Sequence, residues 1–322
     1  ILYHTNPLED LIPHKPDILI NVAASPFSVA KLDQRLSIFS DAARKLGCPM
    51  LYCNQVGGNG PLIFDGYSLF LDKNGQVIKR AAGFKEDAMV IDFEEKEAYT
   101  PQEYHCDKMG DLFNALVLGV RDYFMKSGFT KACLGLSGGI DSALVTCIAQ
   151  KALGKENVLA LTMPSQYTSK ESLEEAHTLA QHLGVECREI SIDALHKEYL
   201  GVLQPHFTGE EVDTTEENLQ ARIRGMILMA FSNKFGYVVL STGNKSEMAT
   251  GYFTLYGDSC GGLGVISDIT KDQVYDLARS INKEREIIPA NTILKPPSAE
   301  LRAGQKDSDE LPPYECIDNI VR

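Results

Sequence analysis

The sequence predicts an α/β protein with a doubly wound parallel sheet, and two patterns indicate it. Apolar segments of strand length alternate with segments whose apolar residues recur at helical spacing, which is typical of βαβ units in a parallel sheet covered on both faces. In the second half, an apolar segment at 131–136 leads through a glycine loop into an apolar helix. Ligands of such sheets bind beyond the carboxyl ends of the strands, so this loop is the first candidate site.

Length and composition restrict the class of protein. The chain has 322 residues, enough for two domains. Its 31 basic and 44 acidic residues leave a net charge of −13, which argues against nucleic acid or an anionic membrane as a partner. The eight cysteines include no C-x-x-C pair, so we expect reduced thiols and a reducing, cytoplasmic location. The chain begins at Ile1 within strand-like sequence, and we expect it to be a piece of a longer protein.

The first third of the chain combines predicted strands with one helix. Apolar residues at helical spacing over 31–47 end at a glycine, which predicts a helix between two strands. Asn74-Gly75 separates two alternating segments within 63–83, a pattern typical of a β-hairpin. The predicted strands cover 17–24, 49–56 and 88–94.

A polar, aperiodic stretch predicts the domain boundary. Residues 1–95 form the first predicted domain, 96–106 a linker and 107–322 the second domain. The second domain opens with an amphipathic helix that stops at Ser127-Gly128. Thr168 with Glu171, and Thr270 with Gln273, have capping-box spacing and predict two further helix starts. The predicted strands cover 131–136, 157–163, 185–192 and 237–242, and the other helices cover 141–153 and 217–236.

The loop S-G-G-I-D-S at 137–142 has the composition of a phosphate-binding loop. Free backbone N–H groups at a helix N-terminus attract anions, and two glycines allow close approach. The lysine of the common loop G-x-x-x-x-G-K-[ST] is absent, which suits holding a pyrophosphate rather than transferring a γ-phosphate. Asp141 could hold magnesium against phosphate or cap the helix, and an ordinary serine–glycine N-cap is the plainer alternative.

This loop resembles the signature of the ATP-pyrophosphatase families, which include synthetases of NAD, GMP and asparagine and some tRNA-modifying enzymes. Four further segments resemble the glutamine-dependent NAD synthetases: TTEENLQARIRG (214–225), STGNKSEMATGYFTLYGD (241–258), KPPSAEL (295–301) and LPPYE (311–315). The resemblance implies an adenine nucleotide alpha hydrolase-like synthetase domain. It also implies ATP and Mg²⁺ as cofactors, and deamido-NAD and ammonia from glutamine as substrates.

The resemblance assigns roles to individual residues. Ser137, Asp141 and Ser142 would act in catalysis, and Asp141 with Glu247 would bind the metal. The ATP site would comprise Gly135, Leu136, Ser137, Gly138, Gly139, Ile140, Asp141, Ser142, Leu161, Met163, Thr242 and Ser298. The deamido-NAD site would comprise Asn218, Glu247, Tyr252, Phe253, Thr254, Leu255 and Asp258.

Structural alternatives stay open at several of these positions. Glu247 could complement a helix dipole, and Asn218 could cap a helix. Leu161 and Met163 could be plain core, and Tyr252 and Phe253 could simply pack. Two nearby arginines, Arg222 and Arg224, could form surface salt bridges or contact an anion.

The first domain resembles the later part of a nitrilase-like glutaminase. VAASPF (22–27) and YCNQVGGNGPLIFDG (52–66) carry this resemblance. That family's catalytic cysteine precedes the VAASPF segment, so we expect no glutaminase activity from this chain. Cys53 lies outside the nucleophile motif, and we expect it to pack in the core.

The combined interpretation is a carbon–nitrogen ligase that makes NAD⁺ through an acyl adenylate, with AMP and pyrophosphate released. The alternatives are another ATP pyrophosphatase, similar to GMP synthetase or a tRNA-modifying enzyme, a nucleotide-binding fragment without activity, and an amidase. The helix at 217–236 is apolar on a broad face, so we expect a homo-oligomer.

Overall fold

The computed structural model describes residues 6–92 and 107–321. The chain divides into two compact units, Ile1–Tyr123 and Phe124–Arg322. The predicted linker at 96–106 lies outside the described residues, so its bounds stay a prediction. None of the described helices has the length and hydropathy that a membrane crossing requires.

The first unit contains a four-stranded sheet of order β1-β2-β5-β6, in which β1 and β2 are parallel and the other pairs antiparallel. β3 and β4 form a separate hairpin. The helices are α1 (Pro7–Leu11), α2 (Lys31–Leu46) and α3 (Lys108–Ser127), the last of which continues past Tyr123. The strands are β1 (Leu19–Ala23), β2 (Met50–Asn54), β3 (Val56–Asn59), β4 (Leu62–Asp65), β5 (Leu69–Leu71) and β6 (Val77–Arg80).

Most of the first unit follows the prediction, with two exceptions. The hairpin at Asn74-Gly75 is confirmed, because β5 and β6 pair across it. The strand predicted at 88–94 is wrong over its described part, since residues 88–92 pair with no strand and Val90 is 86 % exposed. Cys53 is exposed rather than in the core, because β2 alternates and Tyr52, not Cys53, faces the buried cluster with Met50.

The second unit contains a five-stranded sheet whose paired strands are all parallel, in the order β11-β10-β7-β8-β9. Its strands are β7 (Ala132–Gly135), β8 (Val158–Thr162), β9 (Glu186–Glu189), β10 (Val238–Ser241) and β11 (Leu263–Gly264). Its helices are α4 (Ile140–Leu153), α5 (Lys170–Leu183), α6 (Asp193–Leu203), α7 (Thr214–Phe235), α8 (Lys245–Thr250), α9 (Lys271–Ile281), α10 (Ala290–Leu294) and α11 (Tyr314–Val321).

Burial shows that this sheet is covered on both faces. All five residues of β8 are buried, which requires packing on each side of the strand. One face packs against α7 through Ile223 and Leu228. The strand order reverses at β7, since β8 and β9 follow on one side and β10 and β11 on the other. The doubly wound fold is therefore confirmed, and the glycine loop leaves β7 at the switch point, where such folds bind ligands.

Helix starts and short helices differ most from the sequence prediction. Ser169 caps α5 by accepting the N–H of Ser172, whereas the Thr168 hydroxyl accepts the N–H of Ser165 in the preceding turn. The capping box predicted at Thr168 is therefore wrong by one residue, and the box at Thr270 is confirmed. The helices α6, α10 and α11 were not predicted. α10 and α11 are short, and α6 has no side-chain cap that marks its start.

Candidate active site

The loop after β7 is shaped by its own hydroxyl groups. The Ser137 N–H donates to Ser142 Oγ at 3.3 Å, and the Ser142 hydroxyl donates to the Gly139 carbonyl at 2.9 Å. Gly139 is the N-cap of α4, and no side chain of the described residues caps that helix. The N-cap of α4 is thus Gly139 rather than a serine or Asp141, and the Asp141 side chain does not cap the helix. The first-turn N–H groups of α4 have no intrahelical partner and can meet an anion.

Gly138 brings the loop against the first turn of α5. Its φ is +82°, in the left-handed region that favours glycine. A Cβ at this position would lie 2.8 Å from the carbonyl carbon of Ser172, well inside van der Waals contact with rigid backbone. Gly138, the first glycine of the loop, is therefore required by the shape of the backbone.

We expect Gly138→Ala to lower the free energy of unfolding by about 2–4 kcal/mol and to abolish nucleotide binding, because both the dihedral strain and the clash must be relieved. Gly236→Ala is the matched control, since Gly236 has φ +72° but open space around its Cβ direction. That control should cost only about 1 kcal/mol. Thermal unfolding of both variants measures the difference, and equal losses would contradict the close approach at Gly138.

A cavity of about 540 Å³ lies at the carboxyl ends of β7, β8 and β10. Of the predicted ATP and deamido-NAD residues, all but Gly138 and Leu255 line this cavity. Leu255 is 57 % exposed, and Gly138 faces Ser172. The structure thus brings together Gly135, Leu136, Ser137, Gly139, Ile140, Asp141, Ser142, Leu161, Met163, Asn218, Thr242, Glu247, Tyr252, Phe253, Thr254, Asp258 and Ser298.

Two carboxylates and one ammonium form the charged centre of the cavity. Lys271 Nζ lies 2.6 Å from Asp141 Oδ2 and 3.4 Å from Glu247 Oε1. The lysine side chain is only 2 % exposed. Asn244, the N-cap of α8, donates its side-chain amide to Asp141 Oδ1 at 2.8 Å. Asp141 and Glu247, the two residues predicted to bind the metal, therefore contact the same ammonium. The sequence had not indicated the lysine that carries it, Lys271.

Glu247 plays a structural part as well. It is the third residue of α8 and completes a capping box with Asn244, since its Oε2 accepts the Asn244 N–H at 3.1 Å. Glu247 therefore supports the start of α8, as the structural alternative held, and also contacts Lys271. Burial and the negative charge of Asp141 raise the pKa of Glu247 to about 8, and Lys271 partly offsets this shift. Burial opposes the charged form of Lys271, yet Asp141 and Glu247 raise its pKa well above the ordinary range.

The charge balance of this centre suits a divalent cation. A metal ligand must be deprotonated, so cation binding favours the ionised form of Glu247. Two ionised carboxylates and one ammonium then leave one unit of negative charge for the cation to offset. Within the described residues no group of three or more His, Cys, Asp or Glu side chains could hold a metal ion by itself. Mg²⁺ binds through one or two carboxylates and completes its shell with water and phosphate oxygens. The donor set therefore fits Mg²⁺ together with a phosphorylated ligand.

The C-terminal helix supports the charged centre from behind. Asp318 is fully buried and accepts the Ser246 hydroxyl and, at 2.8 Å, the Asp272 N–H. Ser246 in turn accepts the Lys271 N–H at 3.0 Å. One carboxylate of α11 thus ties the first turns of α8 and α9, which carry Glu247 and Lys271. Nothing in the local sequence around Asp318 indicates this contact.

The predicted deamido-NAD residues form a second wall around α7. Thr254 donates its hydroxyl to Asn218 Oδ1 at 2.7 Å and its N–H to Asp258 Oδ1 at 2.8 Å. Asn218 does not cap α7, because Asp213 does so in a capping box with Glu216, so the capping alternative is wrong. The wall is therefore a polar network between α7 and the segment that follows α8.

Both arginines of α7 contact backbone carbonyls. Arg222 Nε donates to Leu255 at 3.3 Å, and Arg224 Nε donates to Met163 at 2.9 Å. Neither forms one of the salt bridges found within the described residues. Leu161 and Met163 belong to a core cluster and also border the cavity, so both interpretations of these residues hold.

A glycine loop at the switch point of a parallel sheet, with one carboxylate of its own and a second from α8 close by, defines the second unit as a nucleotide-binding α/β domain. The NAD synthase family model matches residues 112–322. The chain therefore belongs to the NAD synthase family.

Curated relatives and solved structures agree with this family. A glutamine-dependent NAD(+) synthetase of a Synechocystis species is 49 % identical over 99 % of this chain and 58 % of its own length. The enzyme of the same name from Thermotoga maritima is 46 % identical over 95 % of this chain and 59 % of its own length. The chain thus spans less than two thirds of these relatives.

Two solved structures share the fold. The glutamine-dependent NAD+ synthetase of Acinetobacter baumannii, in complex with ADP, superimposes with a TM-score of 0.86 at 39 % identity and covers 97 % of this chain and 58 % of its own. The NMN synthetase of Francisella tularensis superimposes with a TM-score of 0.60 at 30 % identity, over 66 % of this chain and 85 % of its own.

Proposed function

We propose that the protein to which this chain belongs amidates deamido-NAD to NAD⁺ with ATP, through an acyl adenylate, and releases AMP and pyrophosphate. The observation that carries the proposal is that the glycine loop after β7, with its own Asp141, shares one cavity with Glu247 and Lys271. The Acinetobacter baumannii relative, solved with ADP, supports an adenine nucleotide as one ligand.

Different residues of the cavity would bind the adenine end and the phosphate end of ATP. Leu161 and Met163 offer apolar contact to the adenine, and Thr242 and Ser298 offer hydroxyl groups along the nucleotide. The N-terminus of α4 and the loop N–H groups face the phosphates. Asp141 and Glu247 would hold Mg²⁺, which when bound offsets the negative charge of the phosphates.

The reaction proceeds in two displacements. The nicotinate carboxylate attacks the α-phosphorus of ATP, and pyrophosphate leaves toward the loop at 137–142. Ammonia, supplied from glutamine in the intact protein, then attacks the acyl carbon and displaces AMP. The fixed dipoles of the loop and helix stabilise the charge of the leaving group, and the cavity aligns the two large reactants. No protein nucleophile is needed in this unit.

The substrate wall around α7 would bind the deamido dinucleotide. Tyr252 and Phe253 present rings, and the network of Asn218, Thr254 and Asp258 presents polar groups for a nucleotide. Leu255 is exposed and does not line the cavity, so it would contact only a part of the substrate that extends out of the cavity. We further propose a homo-oligomer in a reducing, cytoplasmic setting, with no nucleic acid or membrane partner.

Supplying ammonia tests the proposal without any glutaminase. The chain, Mg·ATP, ammonium and deamido-NAD should give NAD⁺, AMP and pyrophosphate in equal amounts. Nicotinic acid mononucleotide is the comparison substrate, since an NMN synthetase shares the fold, and we expect it to react at least about tenfold more slowly. Release of ADP and phosphate, or preference for another acceptor such as the GMP synthetase substrate, would contradict the proposal.

A further inference from the structure

The glycine loop lacks the lysine of the common phosphate loop, so a cation for the pyrophosphate must come from elsewhere. Among the described residues, the cationic side chains that line the cavity are Arg224, Lys271 and Lys295. The Lys271 side chain is only 2 % exposed and lies between Asp141 and Glu247, and Arg224 Nε donates to the carbonyl of Met163, at the end of the cavity proposed for the adenine. Lys295 is the more exposed of the two lysines and the cation that contacts α5, the helix against which the loop packs.

Lys295 follows α10 directly and begins the segment that borders the cavity. Its ammonium donates to Ser172 Oγ at 2.9 Å and to Glu175 Oε2 at 2.5 Å. An ammonium has three N–H donors, and within the described part of the chain the third has no protein acceptor. The side chain is 23 % exposed, so this donor can reach a ligand.

Ser172 places the ammonium beside the glycine loop. Gly138 packs against the backbone of Ser172, because a Cβ on Gly138 would clash with that backbone. The Ser172 hydroxyl accepts from Lys295 and donates to Glu300 Oε1 at 2.8 Å. Lys295 is thus one hydrogen bond away from the residue that touches the loop, at the phosphate end of the cavity.

Glu175 holds Lys295 in this position. Its side chain is only 9 % exposed and lies on α5, the helix whose first turn meets the loop. Besides the ammonium, its carboxylate accepts the Asn291 side-chain amide and, at 3.2 Å, the Thr292 hydroxyl. Both of these partners belong to α10, which ends one residue before Lys295. One buried carboxylate therefore fixes the start of the segment and the direction of the lysine.

We propose that Lys295 binds the pyrophosphate that leaves ATP, and that Glu175 is its positioning residue. This inference rests on the proposed function, because the anion is the product of that reaction. Lys295 supplies, from a distant part of the chain, the cation that the loop at 137–142 lacks. It adds a charge-assisted hydrogen bond that strengthens as negative charge develops on the leaving group.

Isothermal titration calorimetry tests the role of Lys295 without turnover. It measures the affinity of the chain for inorganic pyrophosphate in the presence of Mg²⁺ and, separately, for AMP. Lys295→Met should weaken pyrophosphate binding about 10- to 100-fold and leave AMP binding unchanged. Lys295→Gln is the second variant, should methionine impair folding, and is expected to behave alike. Lys306→Met is the matched control, because Lys306 is exposed in the same segment and does not line the cavity.

The sign of the Glu175 effect tests the positioning role. A carboxylate that merely repelled the anion would give tighter pyrophosphate binding in Glu175→Gln. A positioning carboxylate gives weaker binding, by about 3- to 10-fold, and no further loss when Glu175→Gln is added to Lys295→Met. Conservative Glu175→Asp should restore part of the affinity.

The two proposals fail separately. Unchanged pyrophosphate affinity in Lys295→Met, or no binding of pyrophosphate to the unaltered chain, overturns the role of Lys295. Tighter binding in Glu175→Gln overturns the positioning role. If the unaltered chain forms no NAD⁺ from ammonia, the proposed function is overturned. This test uses neither variant.

Discussion

Lys271→Met is expected to remove both activity and a large part of the stability of the ligand-free protein. Lys271 is almost fully buried and its ammonium lies between Asp141 and Glu247. Without it, the Asp141 carboxylate loses its cationic partner in a place with little water, and the raised pKa of Glu247 loses the charge that partly offset it. Breaking a buried ion pair by removing one partner costs about 3–5 kcal/mol. We therefore expect a lower free energy of unfolding by this amount in urea titrations.

The expected activity loss is at least about 10²- to 10³-fold in kcat, since the two carboxylates that would hold Mg²⁺ lose the ammonium that positions them. A second substitution separates the effect of Lys271 on stability from its effect on catalysis. Adding Asp141→Asn to Lys271→Met removes the charge left without its partner, so stability should recover in part while activity stays low. An unchanged stability of the single variant would contradict the charge balance described for this centre.

Lys245→Met is the matched control for the lysine. Lys245 lies in the first turn of α8, next to the same centre in sequence, but it pairs at 3.2 Å with Asp268, which is 95 % exposed. A surface ion pair contributes about 0–1 kcal/mol. This variant should retain normal activity and stability. That result would show that the loss of a first-turn lysine alone does not account for the effect of Lys271→Met.

Asp141→Ala is expected to lower NAD⁺ formation from ammonia by at least about 10³-fold. The side chain does not cap α4, and its oxygens contact Asn244 and Lys271. Its removal leaves Glu247 as the only predicted carboxylate for Mg²⁺, so the Mg²⁺ concentration for half-maximal rate should rise as kcat falls. Initial rates over a Mg²⁺ series measure both quantities.

A helix-dipole role for Asp141 predicts a different result. Asp33 lies in the first turn of α2, is exposed and tests the dipole effect alone. Asp33→Ala should change stability by about 0.3–1 kcal/mol and leave catalysis unaffected. If Asp141→Ala showed only a loss of this size with an unchanged rate, the metal role assigned to Asp141 would be wrong.

Much of the second unit could be predicted from the sequence, because its signals are local. The strand before the glycine loop, the apolar helix after it and the capping box at Thr270 each depend on neighbouring residues. The order of the strands was not predicted, since right-handed βαβ connections restrict the order of a parallel sheet without fixing where it reverses. Short elements escaped the prediction, since five residues in α10 carry too little periodicity to distinguish a helix from a loop.

The site was predicted where motifs are contiguous and missed where contacts are distant. Asp141 and Lys271 are 130 positions apart, and Lys295 and Glu175 are 120 apart. Lys271 follows directly after a helix cap and has the appearance of a solvated first-turn lysine. Only the packing of α9 against α4 brings it to Asp141 and buries it. Periodicity and spacing contain no information about such pairs.

The central claim is that the nicotinate carboxylate becomes an acyl adenylate on this chain, and oxygen transfer tests it most directly. Deamido-NAD labelled with ¹⁸O in its carboxylate is turned over with Mg·ATP and ammonium, and the products are weighed by mass spectrometry. The proposed mechanism predicts one labelled oxygen in the phosphate of AMP at each turnover and none in pyrophosphate. Unlabelled AMP, or label in pyrophosphate or inorganic phosphate, would contradict it.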